Sequence, residues 1–378
     1  MAAVSNPTLL AGAETSIQNT DNNPRAMDAN VYDLEPNVAP LTVLTTKMGS
    51  SPAGNPKVEW LTDQPMPRLT TLSASALASA TTLGVTADIF RVGDVARFSA
   101  LGFAFLVTAT GAGAITGTPI GTSTVSAGSG AELYLVGNAN AEFGTMNEIK
   151  FPQLGTVYNY CQIFRTPLGL SETEQATTHY GGDERARLRK NAGIEHARKI
   201  EAANWFGIRS ISTTTRTQNG LQAMLTTNAS LTGVALTEVA WQAFMVTAFR
   251  YGSDHKVAYV SPTAASAIEG FARQHFVVNN EASNSTYGIN MRTYQSGQGT
   301  VDIVTHKDWN DSATYGGYAF VIDMDTVKSR VLRATKLYPD IQAPDADGFK
   351  DEYRTEGTIQ CTWEARSAVL TGITVGSY

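Results

Sequence analysis

From Asp183 to Gly207 the chain reads DERARLRKNAGIEHARKIEAANWFG, and ten of the first nineteen residues of this stretch are charged in a protein where Asp, Glu, Lys and Arg make up only 16% of the total. Leu188, Ala192, Ile194, Ala197, Ile200 and Ala203 recur at helical spacing and leave a narrow apolar stripe. Around it Arg185, Arg187, Arg189, Lys190, Arg198 and Lys199 are interleaved with Asp183, Glu184, Glu195 and Glu201, close enough for pairs along the helix. Asp183 is placed to cap the N-terminus and Gly207 to end the helix after Trp205 and Phe206. At ~1.5 Å per residue the rod would be about 35 Å long. One narrow face packs, and the others meet water or partners.

A chain of 378 residues is long enough for a sizeable core and for two or three domains, or one domain with large insertions. Thirty-three Gly, 42% hydrophobic residues and abundant Thr, Ser and Ala describe a folded, strand-rich protein with many turns. The formal charge of −6 argues against a protein whose main task is gripping nucleic acid, which needs a net basic surface. Cys161 and Cys361 form no CxxC pair, are too few for a disulfide scaffold, and are expected as buried free thiols in a reducing compartment. The first thirty residues lack the basic start and apolar core of a signal peptide, and no apolar run reaches the ~18 residues of a membrane span. The expectation is a soluble, non-secreted protein with no membrane partner.

Residues 1–50 form an arm rich in Asn, Thr, Ala and Pro, with one short helix expected from Leu41 to Lys47. Such an arm buries too little apolar surface to order itself and would be ordered by lying on something else. NPKVEWLTDQPMPR (55–68) is strand-like until Pro65 and Pro67, and NEIKFPQLGTVYNYCQIFRTPLGL (147–170) is a second extended stretch. Between them, residues 71–143 hold strand candidates TLGVT, VGDVARF, FAFLVTA and AELYLVG, and no charge falls from Phe98 through Ala131. This block has the character of a small β-barrel inserted into the loop of a long hairpin. After the charged helix come a helix from Thr237 to Arg250, the strand KVAYVS, a helix from Pro262 to Arg273, strands near TVDIVT and YAFVIDM, and KSRVLRATKLY. In the closing segment Thr358, Gln360, Thr362 and Glu364 alternate with Ile359, Cys361 and Trp363, the pattern of a half-buried long strand. The pattern is α+β, without the alternation of a Rossmann sheet.

Catalytic signatures are missing: no GxSxG elbow, P-loop, HExxH or CxxC. GAGAITG (111–117) has the wrong spacing for GxGxxG and reads as a turn. His179, His196, His255, His275 and His306 are scattered, without metal-ligand spacing. Ser253, Asp254 and His255 are adjacent, whereas a triad needs groups converging from separate elements. Asp340, Asp345, Asp347, Asp351, Glu352 and Glu356 cluster in DIQAPDADGFKDEYRTE, which holds only a fragment of a calcium-loop pattern and reads as a solvated acidic loop. No catalytic, cofactor or metal site is expected.

The order of parts resembles the major capsid proteins of tailed double-stranded-DNA phages, the Hong Kong 97-type α+β fold, in the branch whose extended loop carries a β-barrel insertion. The stretches that carry this resemblance run through most of the chain: YDLEPNVAPLTVL, VEWLTDQP, VGDVARF, FLVTATGAGAITGT, ELYLVGNANAEFG, ARLRKNAGIEHARKIEAANWFG, TQNGLQAML, AYVSP, YGINMRTYQSGQGTVDIV and TEGTIQCTWEARSAVLTGI. It implies an N-terminal arm (1–50), an extended loop (51–180) with the insertion at 71–143, a spine helix and first part of a peripheral domain (181–235), an axial domain (236–338) and a return strand of the peripheral domain (339–378). It further implies self-assembly through hexamers and pentamers into an icosahedral shell around packaged DNA, assembled in the host cytoplasm. A portal and a separate scaffolding protein would be partners, a decoration protein possible, and contact with DNA non-specific. Trp60, Leu61, Phe151, Tyr158, Tyr160 and Phe164 would lie at intersubunit contacts of the extended loop. Arg185, Arg187, Arg189, Lys190, Arg198 and Lys199 would face the interior or neighbouring copies. An encapsulin-type cage, a β-rich tail or adhesion protein, and a hydrolase built on Ser253 and His255 are the alternatives.

Overall fold

The computed structural model describes residues 39–77, 80–98, 104–121, 126–144, 147, 149–179, 182–231, 233, 235–272, 292–312 and 314–374. The arm before Ala39, Arg273, His275 and the YGINM of the 287–304 stretch lie outside them. The described helices are α1 (Pro40–Lys47), α2 (Glu172–Ala176), α3 (Glu184–Phe206), α4 (Leu221–Met224), α5 (Glu238–Ala248) and α6 (Pro262–Ala272). The chain divides into two compact units, residues 1–58 with 158–378, and residues 59–157.

In the first unit the expected caps form. The Asp183 carboxylate accepts the N–H groups of Arg185 and Ala186, and the Gly207 N–H closes α3 on the Ala203 carbonyl. Thr237 likewise caps α5 through the Ala240 N–H. Two sheets organise the unit. One has the order Ser51–Pro52, Val327–Tyr338, Phe349–Cys361, Gln162–Leu170, antiparallel except for the first pair. The other runs Ala229–Leu231, Ala368–Thr371, Ala319–Ile322, His255–Val260, Gly299–Thr305, Arg292–Ser296, and is mixed. The His255–Val260 strand is packed on both faces, as its apolar run demands. Ala258 and Val260 join Trp241, Phe244 and Met245 of α5 and Ala264 and Ile268 of α6. Val257 and Tyr259 face the opposite way, into a core with Trp205 of α3, Leu41 and Leu44 of α1, and Ile359.

The 59–157 unit is a six-stranded antiparallel sheet in the order Leu69–Thr71, Glu132–Asn138, Asp94–Phe98, Ala104–Gly111, Ala114–Ile120, Thr82–Gly84. Its first and last strands are joined beyond their ends by a Leu72–Val85 bridge and by bonds from the Ser73 N–H to the Gly84 carbonyl (3.0 Å) and the Thr86 N–H to the Thr71 carbonyl (2.9 Å). A separate core of Leu72, Leu83, Phe90, Phe98, Phe105, Ile115 and Leu133 fills it. GAGAITG is a hairpin here: Gly113 takes a positive φ of 71° in the turn, and a Cβ on Gly117 would lie 1.9 Å from the Leu106 carbonyl oxygen. Strands Lys57–Thr62 and Gly155–Tyr160 pair as a two-stranded ribbon where the chain leaves the first unit and comes back to it.

Candidate functional site

The face that α3 turns to the four-stranded sheet is more polar than the apolar stripe suggests. The buried residues of the helix as a whole are Ala192, His196, Glu201, Asn204 and Trp205, while Leu188, Ile194, Ala197, Ile200 and Ala203 are only half-buried. Helical spacing located the face, but polar side chains fill it because the opposing strands offer hydroxyls, carboxylates and a helix end rather than methyl groups.

At the N-terminal end of α3, Asp351 is buried and accepts from Arg185 Nη2 (2.9 Å), Arg189 Nε (2.7 Å) and the Asp340 backbone N–H (2.9 Å). Burial would raise this carboxyl, but the bonds from the two arginines outweigh it and hold the group at about 2. Arg185 also reaches Asp340 at 2.6 Å and lies over the Phe349 ring. Midway along, His196 is locked between two threonines, with Thr166 Oγ1 3.0 Å from Nδ1 and Thr355 Oγ1 2.7 Å from Nε2. Thr355 donates its proton to Thr335, so it accepts from Nε2–H, and Nδ1 accepts from Thr166. Burial, then the Lys199 charge, lowers the His196 pKa, and the ring is neutral.

Near the C-terminal end Glu201 is a fully buried acceptor. Its carboxylate takes the Leu41 N–H (2.9 Å), the Thr42 N–H (2.7 Å), the Thr42 hydroxyl (2.6 Å), the Trp205 indole N–H (2.9 Å) and His306 Nε2 (3.3 Å). Helix α1 has no capping side chain of its own at Ala39, and Glu201 of α3 takes that role from outside the helix. Burial opposes the charge, but His306, Thr42 and Trp205 together lower the Glu201 pKa. In the sequence Glu201 is one more charge in a charged helix; its function depends on a segment 160 residues away.

The basic residues of α3 are mostly engaged within the chain. Besides Arg185 and Arg189, Arg187 pairs with Glu184, Arg198 Nε with Asp308 at 3.1 Å, and Lys199 with Glu195 at 2.6 Å; Lys190 is exposed. Of the loop residues, Leu61 and Phe151 are 65% and 75% exposed, and Ile149 and Leu154 beside Phe151 are also exposed. Trp60 and Phe164 are buried. Tyr158 sits between Lys57 and Arg209, 4.4 and 4.0 Å from its ring centre, and Tyr160 packs edge-on against it at 5.6 Å.

The carboxylate cluster is divided. Asp345 and Asp347 are exposed, as a solvated loop requires. Asp351, Glu352 and Glu356 are buried beneath arginines: Glu352 is held by Arg165 and Arg354, Glu356 by Arg216 and Arg333. The closing strand is correspondingly buried on both faces from Thr355 to Cys361 rather than half-buried, and Glu364 falls in the turn after it, accepting from Thr226 and Thr227. Among the described residues no three His, Cys, Asp or Glu side chains converge on a metal geometry. His255 Nε2 turns to Asp302 at 3.1 Å, and Ser253 Oγ accepts the His255 backbone N–H. Both cysteines are buried, with thiols pushed up to about 11 for Cys161 and about 12 for Cys361, chiefly by burial. No described helix is long and apolar enough to cross a membrane.

The geometry is that of a braced rod: a long helix fastened at three points to a sheet and to the segment that precedes it. The fold is similar to the capsid of a native GTA particle (TM-score 0.51, 10% identity, covering 96% of this chain and 100% of that one). It is similar to the same degree to a structure of Microbacterium phage Oxtober96 (TM-score 0.51, 11% identity, covering 94% and 98%). No curated protein matches the chain. The family model of the SU10 major capsid protein matches residues 11–374, nearly the whole length, and the chain therefore belongs to the SU10 major capsid protein family and forms the shell of a virion capsid.

Proposed function

We propose that this major capsid protein assembles through hexamers and pentamers into an icosahedral shell around packaged double-stranded DNA, in the host cytoplasm. The observation that carries the reading is the family match over residues 11–374. The fold is read as the Hong Kong 97 type in the branch with a barrel in the extended loop, a reading supported by the joined edges of the 59–157 sheet and its own core. In the same reading α3 is the spine helix, the 236–338 region the axial domain, and the segments beside α3 the peripheral domain. Function is then assembly energetics rather than turnover, and no residue is assigned a catalytic role. Leu61 and Phe151 are the loop positions whose exposure suits burial against a neighbour. Trp60 and Phe164 support the loop from within. Lys190, Arg198 and Lys199 are the exposed bases of α3, and in this reading they meet neighbours or DNA. Portal and scaffolding proteins complete the assembly, with a decoration protein as a further partner.

The test is to express the chain alone and with candidate scaffolding proteins, and to examine the product by sedimentation and electron microscopy. Closed shells or five- and six-fold capsomers are expected. A monomer under every condition, scaffold included, refutes the reading.

A further inference from the structure

The face of the four-stranded sheet turned away from α3 is strongly basic in an otherwise acidic protein. Register places Arg165, Arg354 and Lys336 side by side across three strands, with Arg333 beside Glu356, Arg330 beside Thr358 and Lys328 beside Gln360. Arg216 joins them from a neighbouring hairpin by its bond to Glu356. The acids on this face, Glu352 and Glu356, are nearly inaccessible, and each is gripped by two arginines that they orient. The arginines stay open to solvent: the Arg165 and Arg333 side chains are 59% and 52% exposed. These seven bases against two acids carry a local +5 in a chain whose net charge is −6.

The two strands that supply most of this charge end in the turn APDADG, where Asp345 and Asp347 are exposed and have no ion pair among the described residues. A copy cannot fold this turn back onto its whole face. Lys328 is ten strand residues before Tyr338, about 30 Å away at ~3.3 Å per residue. The same two surfaces each carry an exposed isoleucine, Ile163 on the face (46%) and Ile341 beside the turn (41%).

We propose that these are the two halves of one contact: the acidic turn of one copy seats on the arginine–lysine face of a second copy. The proposal rests on the shell-forming role. A contact between two different patches is head-to-tail, the kind that closes into rings when the rotation allows, as a shell built from one chain requires. Matched charge at such a contact sets register and rate of association more than bulk affinity. A carboxylate partner fits better than a nucleic acid, because the chain as a whole repels phosphate and each copy already presents the matching acids and isoleucine.

The test uses Lys328→Glu with Lys336→Glu, because neither lysine holds Glu352 or Glu356, and an unchanged melting curve confirms the fold. Assembly is followed by sedimentation velocity on the full chain under conditions where the parent forms shells. The lysine variant and an Asp345→Lys/Asp347→Lys variant are each expected to raise the protein concentration needed for assembly by about tenfold or more. Combining all four substitutions is expected to restore most of that loss. Parent-like assembly by either double variant, or no restoration in the combination, overturns the contact. So does a lysine variant that assembles normally while losing affinity for a double-stranded oligonucleotide, which would make the face a nucleic-acid surface. Failure of the parent to assemble at all would overturn the shell reading itself.

Discussion

Replacing Glu201 by Gln should weaken the docking of helix α1 on α3 while leaving both helices able to form. The carboxylate has two acceptor oxygens serving five donors: one takes Leu41 N–H, Trp205 Nε1–H and His306, the other takes the Thr42 N–H and hydroxyl. An amide keeps one acceptor and turns the other into a donor. Whichever way it is seated, at least one backbone N–H at the start of α1 is left facing an N–H. A charge-assisted bond contributes about 1.5–3 kcal/mol, and an orphaned buried donor costs about 1–3 kcal/mol. The Thr42 hydroxyl can rotate and recover part of this, so the expected loss is about 3 kcal/mol, near a hundredfold in the docking equilibrium of α1. Burial of Leu41 and Leu44, worth roughly 1.5–3 kcal/mol each, remains and keeps the helix mostly docked. Hydrogen exchange reads the change directly: amides from Val43 to Met48 should exchange about a hundredfold faster in the variant, while amides in the middle of α3 are unchanged. Acid adds a second readout. The folded pKa of Glu201 lies below its ordinary 4.5, so its contribution is fully present above 4.5 and fades as pH falls through the folded value. Protection of α1 in the parent should therefore decline on acidification, and in the Gln variant it should not. Less than a threefold change in exchange, or a change spread evenly over the whole unit, would refute the view of Glu201 as the external cap of α1.

Asp351→Asn should destabilise the first unit by about 3–5 kcal/mol, because it leaves Arg185 and Arg189 without their buried partner; urea unfolding measures it. Asp351 and Glu352 both sit at about 2, below their ordinary 3.8 and 4.5, so their stabilisation should hold above pH ~4.5 and be lost between there and pH ~2, a midpoint shift that Asp351→Asn should shrink. The neutral His196 has a folded pKa below 6.5, so the unfolded chain takes up its proton first and stability should fall as pH drops below about 6.5; in His196→Gln that segment of the pH profile should flatten. Gly117→Ala forces a methyl group against the Leu106 carbonyl and should lower the melting temperature of the 59–157 unit by several degrees, with Gly121→Ala, which meets no atom within 4 Å, as a control for its left-handed backbone alone.

The parts legible in the sequence are those whose cause is local. Asp183 and Gly207 bound α3, Thr237 caps α5, and β-branched runs such as KVAYV become strands, because capping bonds and strand patterning are written within a few residues. The short helix expected at Leu41 starts one residue earlier, at Pro40, as a first-turn proline favours. What the sequence hides is pairing at long range. Nothing near Glu201 announces that it caps a helix 160 positions upstream, and nothing near Asp351 announces that arginines on α3 neutralise it. For the same reason a charged helix looks available to partners when most of its charge is already committed. The basic sheet face was equally invisible, since its members come from residues 165, 216, 328–336 and 354 and meet only through strand register.

The joined edges of the 59–157 sheet also matter for a protein that reaches high local concentration while its shell is being built. An open sheet presents a row of unpaired N–H and C=O groups that recruits any passing strand, its own copies above all. Linking Leu72 to Val85, and Ser73 and Thr86 to their neighbours across the seam, spends those groups inside the unit. Crowded subunits are then steered toward side-chain contacts, which can be weak, reversible and corrected, and away from backbone pairing, whose product is a fibre.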